Sequence, residues 1–256
     1  MNIFLTMAFL FFIGSIVGWI IEVLFRKFFS SANPDRKWIN PGFLIGPYLP
    51  LYGVSLCILY LLAGLEKFLP IQEPFLNKVI LFALMALCVT IMEYITGLVS
   101  IKWLNVRLWD YSKQPGNIKG IVCPLFSFFW AVLSAIYYFL IHPHILNALI
   151  WLSKNLAFSF CIGFFFGIFC IDFVYSARLL VRIRSFAGEH NFIIKFEELK
   201  SHIRSGNDKN RRSLRFLLAM RSRTPLSDHL KQYYEKYLEY TKNGIILKKP
   251  KEKEKQ

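Results

Sequence analysis

The chain predicts an all-α protein, a polytopic membrane bundle of five transmembrane helices followed by a partly helical, basic tail. Three observations carry that prediction. Hydrophobic residues make up 55% of the 256 and mean hydropathy is +0.42, too apolar for a soluble domain of this size. The apolar residues gather in runs rather than at core periodicity, and five runs reach the ~20 residues that span a bilayer. Lys and Arg, finally, fall mostly on alternate loops, as expected when one side faces the cytoplasm.

The runs lie at roughly 3–25, 43–65, 76–101, 121–141 and 156–181, giving a membrane domain over 1–184 and a tail over 185–256, with boundaries good to about 2–4 residues. The first run has no basic leader and is followed by Arg26-Lys27 instead of a small-residue cleavage site, so it reads as a retained helix. Its following loop carries Arg26, Lys27, Arg36 and Lys37, and the loop after the third run carries Lys102, Arg107, Lys113 and Lys119. The opposite side has Lys67, Lys78 and Lys154. From Arg178 onward 20 Lys and Arg face 9 Asp and Glu. The expected orientation is N-terminus outside and C-terminus cytoplasmic.

The formal charge of +15 then needs no nucleic acid, since no recognition motif accompanies it and most of the surplus lies in the tail, facing anionic lipid headgroups. In the tail Phe192, Phe196, Leu199 and Ile203 share one helical face, as do Leu230, Tyr234, Tyr237 and Thr241. Arg211-Arg212-Ser-Leu-Arg215-Phe-Leu-Leu suits a membrane interface, and Lys248-Lys-Pro-Lys-Glu-Lys-Glu-Lys-Gln256 is too charged to fold alone. The five cysteines all lie in apolar runs without C-x-x-C spacing, reading as small hydrophobes. His142 and His144 lie on an outer loop without acidic or thiol company, so no metal site and no cofactor is expected.

Two stretches read as versions of one another. Glu22, a basic loop and Asn40 with Pro47 seven residues on match Glu93, a basic loop and Asn117 with Pro124 seven residues on. The Glu-to-Asn spacings differ, 18 against 24, so a parallel repeat and chance agreement both fit. Glu22, Glu93 and Asp172 interrupt the apolar runs, all in the cytoplasmic halves of helices running outside to inside. Charge there is costly, and its usual meanings are ion or proton handling, a polar substrate site, or a structural network. Glu22 has Arg26 one turn on, Glu93 has no base at helical spacing, and Asp172 has Ser176 one turn on. The segment Asn40-Pro-Gly-Phe-Leu-Ile-Gly-Pro-Tyr-Leu-Pro-Leu-Tyr-Gly53 holds three Pro and three Gly, so it cannot be regular helix throughout. Irregular backbone at membrane depth either lines a cavity or is packed in protein. Trp109-Asp110-Tyr111 fits an interfacial belt or a surface beside a polar site. Gly14-x-x-x-Gly18 and Gly163-x-x-x-Gly167 permit close helix packing. The candidate site is therefore Glu22, Asn40, Gly42, Gly46, Pro47, Pro50, Gly53, Glu93, Trp109, Asp110, Tyr111, Asn117, Gly120 and Asp172.

No P-loop, His-Glu-x-x-His, Gly-x-Ser-x-Gly or Cys–His signature is present, and no enzymatic activity is expected. The Asn40–Gly53 segment, Glu93-Tyr-Ile-Thr-Gly97, Trp109-Asp-Tyr-Ser112 and Asn117-Ile-Lys-Gly120, in this order, resemble the bacterial integral membrane family of ABC-transporter type IV permeases. The resemblance covers roughly 14–176; where the family carries an Arg and a Trp-Gly, this chain has Ile121 and Trp130-Ala131. It implies a permease-like transport component of the bacterial inner membrane, with a separate ATPase subunit or another membrane protein as partner. Two alternatives stay open: a membrane regulator or scaffold acting through its cytosolic face and tail, and a membrane enzyme using these acids on lipid substrates.

Overall fold

The computed structural model describes residues 2–30, 33, 36–68, 73–206 and 225–242. Helix α1 (Ile3–Phe28) opens on Asn2, whose side chain accepts from the Phe4 amide, and closes on Arg26 and Lys27, cations that suit the negative end of a helix. Helix α2 (Pro50–Gly64) returns alongside it. Their contact is tight because Gly14, Gly18 and Gly53 lack side chains: a Cβ at Gly18 would collide with Tyr52, and one at Gly53 with Ser15. Gly163 and Gly167 meet nothing within 4 Å, so only the first of the two small-residue motifs packs helices among the described residues.

Helix α3 (Pro74–Leu104) ends on Asn105, which takes the left-handed conformation at φ 52°. The loop over 105–123 leads to α4 (Pro124–Ile136), a π-helical turn (Tyr137–Ile141) and α5 (His142–Lys154). These three form one rod. Pro143 has no amide to give and its ring crowds the preceding turn, a physical reason for the π turn there. After Asn155, a short 3-10 turn leads into α6 (Ser159–Glu189). Beyond it come α7 (Phe196–Gly206) and α8 (Leu226–Lys242). A two-residue parallel pairing joins β1 (Val106–Arg107) to β2 (Ile194–Lys195).

Four helices, Ile3–Phe28, Phe75–Leu104, Pro124–Lys154 and Leu156–Glu189, are long and apolar enough to cross a membrane among the described residues. With the outward faces of α3 and α6 rich in exposed Leu, Ile, Val and Phe, they define an all-α membrane bundle. Several expected boundaries need correction. The helix expected at 43–65 begins only at Pro50: Gly42 is at φ 73°, Pro47 and Pro50 offer no amides, and proline is readily placed only in a helix's first turn. The helix expected at 121–141 runs from 124 to 154, so His142 and His144 lie in the rod and not on an outer loop. The helix expected at 156–181 continues to Glu189, through the boundary placed at 185. The repeat also shifts register, because Pro124 opens α4 whereas Pro50, not Pro47, opens α2.

The apolar core divides along the bundle. Far from the basic loops, Phe9, Leu10, Leu81, Met85, Leu149, Leu152 and Ile162 pack together. At the basic end, Phe192, Phe196, Leu199 and Ile203 pack with Leu180 and Ile183 of α6, Val106 of β1, and Leu230 and Tyr233 of α8. Burying those side chains, at ~1.5–3 kcal/mol each, holds the first part of the tail against the membrane helices. The stretches Arg211–Leu218 and Lys248–Gln256 lie outside the described residues.

Candidate functional site

Between these cores, toward the basic end, two adjoining cavities of about 250 and 200 Å³ share the walls Glu22, Tyr52, Glu93, Tyr111 and Trp130. Each side chain is set by a local device. Glu22 lies one turn before Arg26, which donates to it at 2.8 Å, and the Tyr52 hydroxyl donates to its other oxygen at 3.1 Å. Tyr52 reaches Glu22 because Gly18 leaves the space its ring fills. Glu93 is 3% exposed on α3. Tyr111 donates to its Oε1 at 3.2 Å, and the Tyr111 ring stacks on Phe126 at 4.2 Å. Burial first, and Glu93 beside it, push the Tyr111 phenol well above its ordinary value, so it stays a donor. Glu93 Oε2 has no hydrogen bond of full geometry among the described residues, and the Trp130 indole N–H is its weaker, poorly aligned donor.

The loops are built to present these groups. Asn40 accepts from the Trp19 indole at 2.6 Å and donates to the Leu44 and Ile45 carbonyls, tying a helix-free segment to α1. Asn117 donates to the Ser112 and Gln114 carbonyls and accepts from the Gly120 amide, itself at φ 67°. Trp109 donates to the Ile121 carbonyl at 2.8 Å and turns its ring to the larger cavity. Asp110 points the other way, to Arg107 at 3.0 Å and Lys195 at 2.9 Å. Burial would raise its carboxyl, but the Ser112 hydrogen bonds and the Lys195 ammonium outweigh that and hold it at about 2.

Of the expected site residues, Glu22, Gly42, Pro50, Glu93, Trp109 and Tyr111 line the larger cavity. Asn40, Gly46, Pro47, Gly53, Asp110, Asn117, Gly120 and Asp172 do not line either cavity; they lie behind its walls or in the loops. Asp172 does not join Glu22 and Glu93 at these two cavities. Its carboxylate accepts from the Ile45 amide at 3.1 Å, the Gly46 amide at 2.8 Å, the Tyr48 hydroxyl at 2.6 Å and Ser176 at 3.0 Å. It pins the irregular segment to α6 and has nothing left to offer a ligand.

Sequence reasoning missed the far end of the charge network. Arg26 also pairs with Glu197 of α7 at 3.1 Å, and Glu197 with Lys200 at 2.9 Å. Lys200 is 5% exposed and donates to the Asn40 and Gly42 carbonyls at 3.0 and 3.1 Å. Burial lowers its ammonium from the ordinary value despite Glu197, whereas Arg26 and Lys200 outweigh burial and hold Glu197 below its own. A signal existed: Lys200 sits one turn after Phe196, on the apolar face of α7.

These features define a membrane bundle with a mainly apolar cavity whose wall carries Glu22, Arg26 and Glu93, beside two irregular loops. The sequence profile of the family described as "Putative ABC-transporter type IV" matches residues 9–177, more than half of the chain, and the protein belongs to that family. Neither the curated proteins nor the solved structures yield a match. The matched region contains both cavity carboxylates and both loops, and stops before α7 and α8.

Proposed function

We propose that the protein is a permease-like transport component whose substrate or ion site is the cavity between Glu22 and Glu93. One observation carries the reading: Glu93 is a buried acid on the cavity wall with no cation beside it and one oxygen without a well-formed hydrogen bond among the described residues, whereas Glu22 has Arg26 and Tyr52 on its two oxygens and Asp172 accepts from Ile45, Gly46, Tyr48 and Ser176. Intramembrane acids left open in this way suit ion and substrate handling. The one-sided basic loops support a bacterial inner-membrane setting with the cavity toward the cytoplasm, N-terminus outside and C-terminus inside. In this topology α2 is the fifth span. Its 15 residues cover ~22 Å at the helical rise, and the irregular 40–49 segment supplies the remaining depth.

Family membership supports association with other transporter components. No P-loop occurs, so ATP-driven transport would use a separate ATPase subunit docking on the cytoplasmic face, with the basic tail against anionic headgroups. A second reading, a regulator or scaffold, is favoured by one feature, the α7 contact through Glu197 and Lys200 that ties the tail to the cavity-wall residues Arg26 and Gly42. Glu93→Gln separates the two. Loss of flux in proteoliposomes at unchanged thermal stability supports transport. Unchanged flux, or flux lost only because the protein unfolds, would remove the role given to Glu93.

A further inference from the structure

The cavity lining has a charge balance of its own. Glu22 pairs with Arg26, Arg26 with Glu197, and Glu197 with Lys200, so two acids and two bases cancel. Glu93 adds one more carboxylate, and neither cavity has another acid or base in its wall. An ionised carboxylate held away from water is costly; it either keeps a proton or meets a cation, so a cation that binds here displaces the proton. The Lys and Arg side chains nearby are already committed. An anionic ligand would face Glu93 with Arg26 occupied by two carboxylates. A metal ion lacks ligands, since no group of three His, Cys, Asp or Glu gathers among the described residues.

The surroundings of Glu93 are aromatic. Tyr52, Trp109, Tyr111 and Trp130 line the larger cavity, with the Tyr52 and Trp130 rings 4.9 Å apart and inclined at 48°. Ring faces attract cations of diffuse charge and tolerate their alkyl groups, which water solvates poorly. We infer that the Glu93 cavity binds an organic monocation of the alkylammonium class. Its charge lies against the Glu93 carboxylate and its alkyl groups against Tyr52, Trp109, Tyr111 and Trp130. The inference deepens the permease-like reading and rests on its choice of the cavity as the binding site. The same chemistry is offered by a free alkylammonium solute and by the trimethylammonium headgroup of a lipid.

The test is calorimetric titration of the purified full chain in maltoside micelles with tetramethylammonium. The neutral isostere 3,3-dimethylbutan-1-ol and sodium serve as controls. Saturable binding of tetramethylammonium alone is expected, weakened about tenfold or more by Glu93→Gln, the scale of a lost charge-assisted contact. Trp130→Phe, which keeps a ring but a poorer one for cations, should weaken it about threefold. Absence of saturable binding, equal binding of the neutral isostere, or unchanged affinity in Glu93→Gln overturns the inference. If Glu93→Gln does not fold, the wild-type comparison of cation with isostere still decides. Weaker tetramethylammonium binding in phosphatidylcholine than in phosphatidylethanolamine nanodiscs, both without net charge, assigns the site to the trimethylammonium headgroup, and equal affinity assigns it to a free solute. Binding without flux of labelled tetramethylammonium keeps this site and removes the permease reading. Flux of another solute without cation binding does the reverse.

Discussion

The two loop-and-helix units at the basic end use one vocabulary to different ends. In each, a glutamate on an outgoing helix accepts from a tyrosine, an asparagine ties its loop through two carbonyls, and a proline opens the returning helix. In the first unit the acids Glu22 and Asp172 are answered: Arg26 donates to Glu22 and pairs with Glu197, and Asp172 accepts from the two amides that the irregular 40–49 segment leaves open. In the second, Asp110 is answered by Arg107 and Lys195, but Glu93 has Tyr111 on one oxygen, no cation, and no well-formed hydrogen bond on the other among the described residues. A buried acid that has its partners is structure; one left short of them points to something that arrives.

The comparison can be broken at several points. Arg26→Met should have the largest effect, because it leaves Glu22 without a cation and Glu197 with Lys200 alone; a loss of about 3–5 kcal/mol is expected in denaturant melts of the purified chain. Asp172→Asn removes the carboxylate that caps the Ile45 and Gly46 amides, for about 1.5–3 kcal/mol, together with faster proteolysis of the 40–49 segment.

Asp110→Asn tests the second unit through pH. The Asp110 carboxyl lies near 2 in the folded chain against ~3.9 unfolded, so its contribution of about 2 kcal/mol is present above pH ~4. It is lost as pH falls through the folded value. Wild type and Asp110→Asn should therefore differ at pH 6 and converge toward pH 2, in melts followed by circular dichroism. A difference constant down to pH 2 would contradict the assignment.

Much of this architecture was legible in the sequence. The apolar runs marked the spanning helices, and the prolines and glycines of 40–53 marked a segment that is not regular helix. Glu22 and Arg26 one turn apart announced their own pairing. What was hidden depends on contacts that no local pattern encodes. Asp172 meets amides more than 120 residues away, and Lys200 reaches carbonyls 158 and 160 residues away. Glu93 without a nearby base stood out, but its tyrosine came from the next loop. His142-Pro-His144 suggested a loop because proline usually ends a helix; a π turn absorbed the disruption and the rod continued.

The most direct measurement compares the unfolding midpoints of Glu22→Gln and Glu93→Gln in the same detergent, each against wild type. Glu22→Gln breaks an ion pair and should cost about 2–3 kcal/mol. Glu93→Gln keeps an acceptor for Tyr111 and should cost less than about 1 kcal/mol despite deeper burial. That order supports Glu93 as the acid reserved for a ligand. Glu93→Gln as costly as Glu22→Gln would make both acids structural and contradict the account.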